Sequence, residues 1–438
     1  MNAAALGANV RLLTVVGDDR EGRALARSLT ARGVPAGDVI ADETRETLSK
    51  NRLVADSQIL VRFDRGTTEA AGRATEARVI EGLRGAFHDV DAVLVSDYGY
   101  GVLTPRVIDA LAELQADSPT VIVVDAKHAQ RFRHVGVTAV KPNHAEAARL
   151  LGVSAHLGSR RVASIERHAE GLFELTGARM VVVTMDVDGA VLLERGRPPY
   201  RTYARPSSHS KATGAGDTFT AALTAALGAG AHAVSAIELA SSAASVVVER
   251  DGTSACSATQ LLDRIGGAGT VVPDWDAMER LAAAYRRDGR RVVFTNGCFD
   301  ILHRGHITYL NQAKALGDVL VVGLNSDDSV HRLKGPERPI NPLEDRAHVL
   351  AALSCIDHIV PFDDDTPVRL IERIRPDVFV KGGDYRPDML PERATVEALG
   401  GEVHILPYVE DRSTTGIIQQ IRAASDDRRP AQELRTGT

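Results

Sequence analysis

Cysteine is scarce: Cys256, Cys298 and Cys355 are the only three in 438 residues, odd in number and far apart. A disulfide framework is excluded, and no Cys–His spacing suits a metal module. Reduced thiols in a cytoplasmic protein are expected. Excess basic charge is also missing. With a formal net charge of −6, no nucleic-acid or acidic-membrane footprint is visible. No apolar run reaches membrane-span length, so no membrane partner is expected. No short repeat is visible. What remains is 44% hydrophobic and 25% charged residues, the ordinary make-up of a globular chain. Its length is too great for one core, so two or three domains are expected.

Thr295-Asn296-Gly297-Cys298-Phe299-Asp300-Ile301-Leu302-His303-Arg304-Gly305-His306 is the most informative stretch. The apolar run Arg291 to Phe294 precedes it and reads as a buried strand. Ile307, Leu310, Ala313 and Lys314 follow it with a helical period. His303 and His306 therefore fall at or just before a first helical turn, where free N–H groups and the dipole favour anions. Gly297 and Gly305 allow a large anion close to the backbone. Two imidazoles three apart can face one ligand. The arrangement suits a triphosphate attacked at its α-phosphorus.

The first half alternates short apolar strands with helical patterns. Strands are expected over Val10–Val16, Val90–Ser96, Val121–Asp125, Thr138–Lys141 and Met180–Thr184, with Thr47–Val54 and Gln58–Phe63 as a pair. Helices are expected over Glu21–Ala31, Pro105–Gln115, His144–Leu151 and Val162–Leu175. This is the pattern of a doubly wound α/β sheet. Met1 to Ala8 reads as the end of a helix, as though elements of the domain lay upstream. Gly214-Ala215-Gly216-Asp217 opens an Ala-rich helix. Its amides can hold a transferring phosphoryl group, and Asp217 can accept a hydroxyl proton. Asn143 reads as an N-cap with Glu146 as capping-box partner, a role compatible with ligand binding.

Gly266 to Thr270 reads as a linker, followed by an amphipathic helix bearing Trp275, Met278, Leu281, Ala282 and Tyr285. The expected division is 1–265, a connecting segment over 266–288, a second α/β domain over 289–425 and a tail over 426–438. In that second domain Val319–Leu324, Ile356–Pro361, Asp377–Val380 and Val403–Leu406 read as strands. Their C-terminal ends carry Asn325-Ser326-Asp327, Lys381-Gly382-Gly383-Asp384-Tyr385 and Ser413-Thr414-Thr415. Lys334, Arg346 and Lys381 are candidate phosphate cations.

The His303–His306 stretch resembles the H-x-G-H nucleotidyltransferase superfamily. The first half resembles the ribokinase-like (PfkB) sugar kinases, through Gly214–Asp217 and through Asn143-His144-Ala145-Glu146. The two together resemble bifunctional heptose 7-phosphate kinase / heptose 1-phosphate adenylyltransferases. That resemblance implies two doubly wound domains, a ribokinase-like one and a Rossmann-like one. It implies ATP and Mg²⁺, heptose phosphates as substrates, and a homodimer through the kinase domain. It assigns Asp217, His303 and His306 to catalysis. Asn143 to Glu146, with Glu146 near Mg²⁺, and Gly214 to Gly216 would bind nucleotide. So would Thr295, Asn296, Gly297, Phe299, Asp300, Gly305, Lys334, Arg346, Lys381, Ser413, Thr414 and Thr415. Asp97, Asn325, Asp327, Gly383, Asp384 and Tyr385 would bind substrate. Lys211 stands where the kinases usually carry Asp, and their first strand and Gly-Gly segment find no counterpart. A kinase half of low activity is therefore expected. The alternatives are a transferase beside a non-catalytic kinase-like scaffold, or another sugar- or polyol-phosphate nucleotidyltransferase.

Overall fold

The computed structural model describes residues 1–55, 58–155, 160–204, 214–248, 254–265, 270–383 and 390–406. The chain divides into two compact units, Met1–Arg264 and Ile265–Thr438.

The first unit begins with β1 (Thr14–Gly17) and β2 (Val39–Asp42), a parallel pair. An antiparallel hairpin follows, β3 (Ser49–Ala55) and β4 (Gln58–Arg65). The main sheet contains β5 (Ala92–Asp97), β6 (Val121–Ala126), β7 (Ala139–Val140), β8 (Met180–Thr184), β9 (Ala190–Glu194) and β10 (Tyr200–Thr202), in the order β10-β9-β8-β7-β6-β5. Pairing is parallel from β5 to β8 and antiparallel beyond. Alternate residues feed opposite cores. Ile122 and Val124 pack with Phe132, Leu172 and Val181 on one face. Val123 and Val182 pack with Phe219, Leu223 and Ile237 on the other. Burial on both faces explains why these strands read as continuous apolar runs.

Two expectations are revised, and one strand was not expected. The strand expected over Val10–Val16 is formed only from Thr14. Residues 10–13 instead line a cavity of about 1290 Å³ between β1 and the β5 edge, bordered also by Val93 and Val95. Leu94, mid-strand in β5, is left 39% exposed there. The helix expected over Val162–Leu175 is two, Arg160–Arg167 and Ala169–Thr176. At the break His168 Nδ1 lies 2.8 Å from the Ser164 carbonyl, competing for the helical acceptor. Finally, β2 has too short a pattern to be read in advance.

The second unit has β11 (Val292–Gly297), β12 (Val319–Asn325), β13 (His358–Phe362), β14 (Val378–Gly382) and β15 (Glu402–Leu406), all parallel, ordered β13-β12-β11-β14-β15. This is a Rossmann-like winding whose order reverses between β11 and β14. Phe294 and Phe379, fully buried on those strands, stack at 6.1 Å. Each side chain contributes about 1.5–3 kcal/mol of burial. Thr270 and Val272 bond to Ile359, so the connecting segment is already part of this unit.

Candidate active sites

In the second unit the reversal point puts the C-terminal ends of β11 and β14 side by side. Thr295, fully buried, lies 2.5 Å from the Tyr309 hydroxyl, which donates to the Val380 carbonyl at 3.0 Å. Lys381 Nζ donates to Asn296 Oδ1 at 3.0 Å and sits 3.5 Å from the buried Glu392 carboxylate. The ammonium is thus held at the mouth of the strand ends.

Beyond β11 the loop is tightly built. A side chain at Gly297 would meet the Phe299 ring at 2.9 Å. Phe299 itself takes φ 45°, a left-handed conformation costly for a bulky residue. That turn brings the Phe299 ring edge-on to His306, 5.4 Å between centroids. His303 is the N-cap of helix Arg304–Lys314, but its side chain makes no capping bond. Its ring instead stacks on His306 at 3.9 Å. Burial, and secondly His303, lower the His306 pKa to about 4, against the opposing pull of the Ile301 carbonyl. An anion placed against His306 would oppose that lowering.

The acidic and basic residues around the loop mostly hold one another. Asp300 is buried and accepts from the Ile340 and Asn341 amides at 2.8 and 2.9 Å, and from Arg338. Burial alone would raise its pKa, but these donors outweigh it and hold the carboxyl below the usual range. The Arg346 guanidinium has no exposed surface. It donates to the Asn341 carbonyl at 3.0 Å, the Cys298 carbonyl at 2.6 Å and Asp327 at 2.6 Å. Asn325 is buried and donates to Ser329, while Ser326 caps the following helix. Lys334 is exposed; its charge, with Arg346 and Arg338, opposes the rise that burial causes at the Cys298 thiol. Gly305 is buried in the first turn, and Gly383 donates to the Leu406 carbonyl. Asp384, Tyr385, Ser413, Thr414 and Thr415 lie outside the described residues.

In the first unit Gly214 caps helix Ala215–Gly228 with φ 103°, a conformation that suits glycine, and no side chain closes the first amides. Asp217 stands exposed in the first turn and accepts from the Tyr98 hydroxyl at 2.7 Å. Asn143 and Glu146 form the expected capping box, with bonds of 2.8 and 2.9 Å. His144 is buried and Ala145 exposed in the same turn. Asp97 accepts from Gly99 N at 2.9 Å and Arg131 at 3.0 Å. Lys211 lies outside the described residues.

Two residues here escaped the sequence reading. Lys141, buried, and Asp125, half-buried, form a pair at 3.1 Å, and Thr220 donates to the same carboxylate at 3.0 Å. Burial raises the Asp125 pKa against the pull of Lys141. A Cβ on Gly216 would sit 4.0 Å from Lys141 Nζ, so this ammonium borders the anion turn. The available signal was a charged residue closing each of two buried strands. Among the described residues no group of three or more His, Cys, Asp and Glu could hold a metal ion. Glu146 keeps one carboxylate oxygen outside its capping bond, which fits an ion carried largely by nucleotide phosphates. No helix among the described residues is long and apolar enough to cross a membrane.

Comparison with known proteins finds a family match for each unit. Residues 1–260 match the pfkB family carbohydrate kinases, and residues 294–427 the cytidylyltransferase-like family. The chain is 40% identical over 429 residues to the bifunctional protein HldE of Geobacter sulfurreducens, covering 97% of this chain and 86% of that protein. It is 38% identical to the bifunctional protein HldE of Edwardsiella ictaluri, covering 98% and 88%. Phosphofructokinase-2 from Escherichia coli superposes on 60% of this chain and 83% of its own, with TM-score 0.50 at 18% identity, a likeness of fold.

Proposed function

The chain belongs to the family of bifunctional HldE proteins, transferases that join a pfkB carbohydrate kinase to a cytidylyltransferase-like domain, and from that premise we propose the following two reactions. The first unit transfers the γ-phosphoryl group of ATP to the C1 hydroxyl of D-glycero-β-D-manno-heptose 7-phosphate. After a separate phosphatase removes the 7-phosphate, the second unit joins heptose 1-phosphate to AMP from ATP, giving ADP-heptose and pyrophosphate.

In the kinase step Asp217 takes the proton of the anomeric hydroxyl as its oxygen bonds to the γ-phosphorus and ADP departs. The free amides at Gly214 to Gly216, with Lys141 beside them, stabilise the charge in transit. Mg²⁺, near Glu146, would neutralise the nucleotide phosphates. In the transferase step the sugar phosphate oxygen is already ionised, so no strong base is needed. Positioning and charge stabilisation at the α-phosphate suffice. The stacked His303 and His306 meet that charge at a helix N-terminus, with Lys381 across the mouth. Gly305, Thr295 and Asn296 shape the cradle, and Thr414 and Thr415 are assigned to its clamp. The exposed Val61 and Phe63, two apart on β4, support a homodimer through the first unit. A cytoplasmic location follows from the nucleotide substrates.

The observation that carries this reading is the histidine pair, stacked at 3.9 Å where the sheet order reverses. Incubating the purified chain with heptose 1-phosphate and each nucleoside triphosphate, and scoring pyrophosphate, tests it. ATP should give release and CTP should not; the reverse outcome overturns the adenylyl assignment.

A further inference from the structure

The kinase reading leaves open how the site recognises the end of the sugar that does not react, and this inference rests on that reading. After β5 the chain turns through Asp97-Tyr98-Gly99-Tyr100. The Tyr98 hydroxyl donates to Asp217 at 2.7 Å, so its ring stands beside the base. The Tyr98 and Tyr100 rings lie 6.3 Å apart, tilted by 37°. Lys50, on hairpin strand β3, places its ammonium 5.1 Å from one ring centre and 5.3 Å from the other.

The neighbouring cations are committed elsewhere. Arg131 pairs with Asp97 at 3.0 Å and Lys141 with Asp125 at 3.1 Å. Arg45 donates to the backbone carbonyls of Glu69, Thr67 and Tyr100. Lys50 makes no ion pair among the described residues. Electron-rich ring faces attract an ammonium without neutralising it. Its position is thereby fixed while its charge stays available to an anion. The Arg45 bond to the Tyr100 carbonyl, 2.9 Å, steadies the turn that carries the rings. A base, two aromatic faces and a cation outside any ion pair follow one another through contacts of 2.7 Å and 5.1 Å to Tyr98. That sequence matches a substrate with a reacting hydroxyl, an apolar sugar face and a remote phosphate.

We propose that Lys50, seated on Tyr98 and Tyr100, is the subsite for the terminal phosphate of the sugar, and that it makes the kinase prefer a sugar phosphate over the free sugar. The experiment is calorimetry on the full chain with heptose 7-phosphate and with unphosphorylated heptose, for the parent, Lys50→Gln and Lys50→Arg. Lys50→Gln should weaken heptose 7-phosphate at least about tenfold, the scale of one charge-assisted hydrogen bond. It should leave the unphosphorylated sugar within about twofold, and Lys50→Arg should retain the preference. Equal weakening of both sugars, or of neither, overturns the subsite. Fructose 6-phosphate is the control sugar. If the parent prefers it and Lys50→Gln abolishes that preference, the heptose reading fails and the subsite stands. A parent chain that binds neither sugar phosphate overturns the subsite. Lys50 is exposed on its strand, and coincident thermal unfolding of the variants separates recognition from folding.

Discussion

Replacing Arg346 by Met tests whether this residue acts through the loop it holds or on nucleotide directly. Its guanidinium has no exposed surface and donates to Asn341, Cys298 and Asp327. Methionine would fill much of the volume and supply no donor. Two carbonyls would then lose their partner, at about 1–3 kcal/mol each where no water reaches. Asp327 is 39% exposed, so solvent rehydrates it and its share is smaller. Together the loss is about 3–5 kcal/mol, within reach of the whole stability of a domain. Trp275 is the chain's single tryptophan and packs in the core of the second unit. Its fluorescence in urea therefore reports that unit alone. The midpoint should fall sharply for Arg346→Met, and turnover should fall because the Cys298 carbonyl is released. Arg346→Lys should lose most of the same stability, since one ammonium nitrogen cannot reach three acceptors that the guanidinium meets with three separate nitrogens. An unchanged midpoint with a raised KM for ATP would refute the reasoning and return Arg346 to the phosphates.

Four further outcomes are expected. His306→Ala should lower adenylyl transfer by about two to three powers of ten, measured as pyrophosphate release, on the scale of a lost oxyanion donor. Because the folded pKa of His306 lies near 4, below the ordinary 6.5, the unfolded chain binds the proton first. Stability of the second unit should therefore be complete above about pH 6.5 and decline toward pH 4, at most about 1.4 kcal/mol per pH unit. His306→Ala should flatten that slope in urea titrations. Asp217→Asn should cut ADP release with heptose 7-phosphate by about two to four powers of ten and leave pyrophosphate release intact; a loss of both would mean that the halves are coupled. A fragment beginning at Ile265 should fold and keep adenylyl transfer. One beginning at Pro273 should be about 1–3 kcal/mol less stable, because it loses the two Thr270 and Val272 bonds to Ile359. Equal urea midpoints for the two would show that this bridge contributes nothing.

Relations over three or four residues were legible in the sequence, because helix and turn geometry fixes them locally. The His303–His306 pair at a helix start, the Asn143–Glu146 capping box and the glycine turn before Asp217 are of this kind. So were the buried strands, whose apolar runs reflect cover on both faces. Strand order decided the rest. Lys381 reaches Asn296 because β14 lies against β11, 85 residues apart in the chain. Tyr98 meets Asp217 across 119 residues. A charged residue looks alike in sequence whether exposed or buried: Lys334 is exposed, whereas Arg346 is enclosed by carbonyls from two segments and a carboxylate from a third. The Asp125–Lys141 pair was hidden for the same reason, since each residue closes its own strand and only the sheet brings the two ends together. Local spacing therefore placed the candidate reacting groups, and packing decided which charges remain available to a ligand, because a charge is neutralised by its neighbours in space.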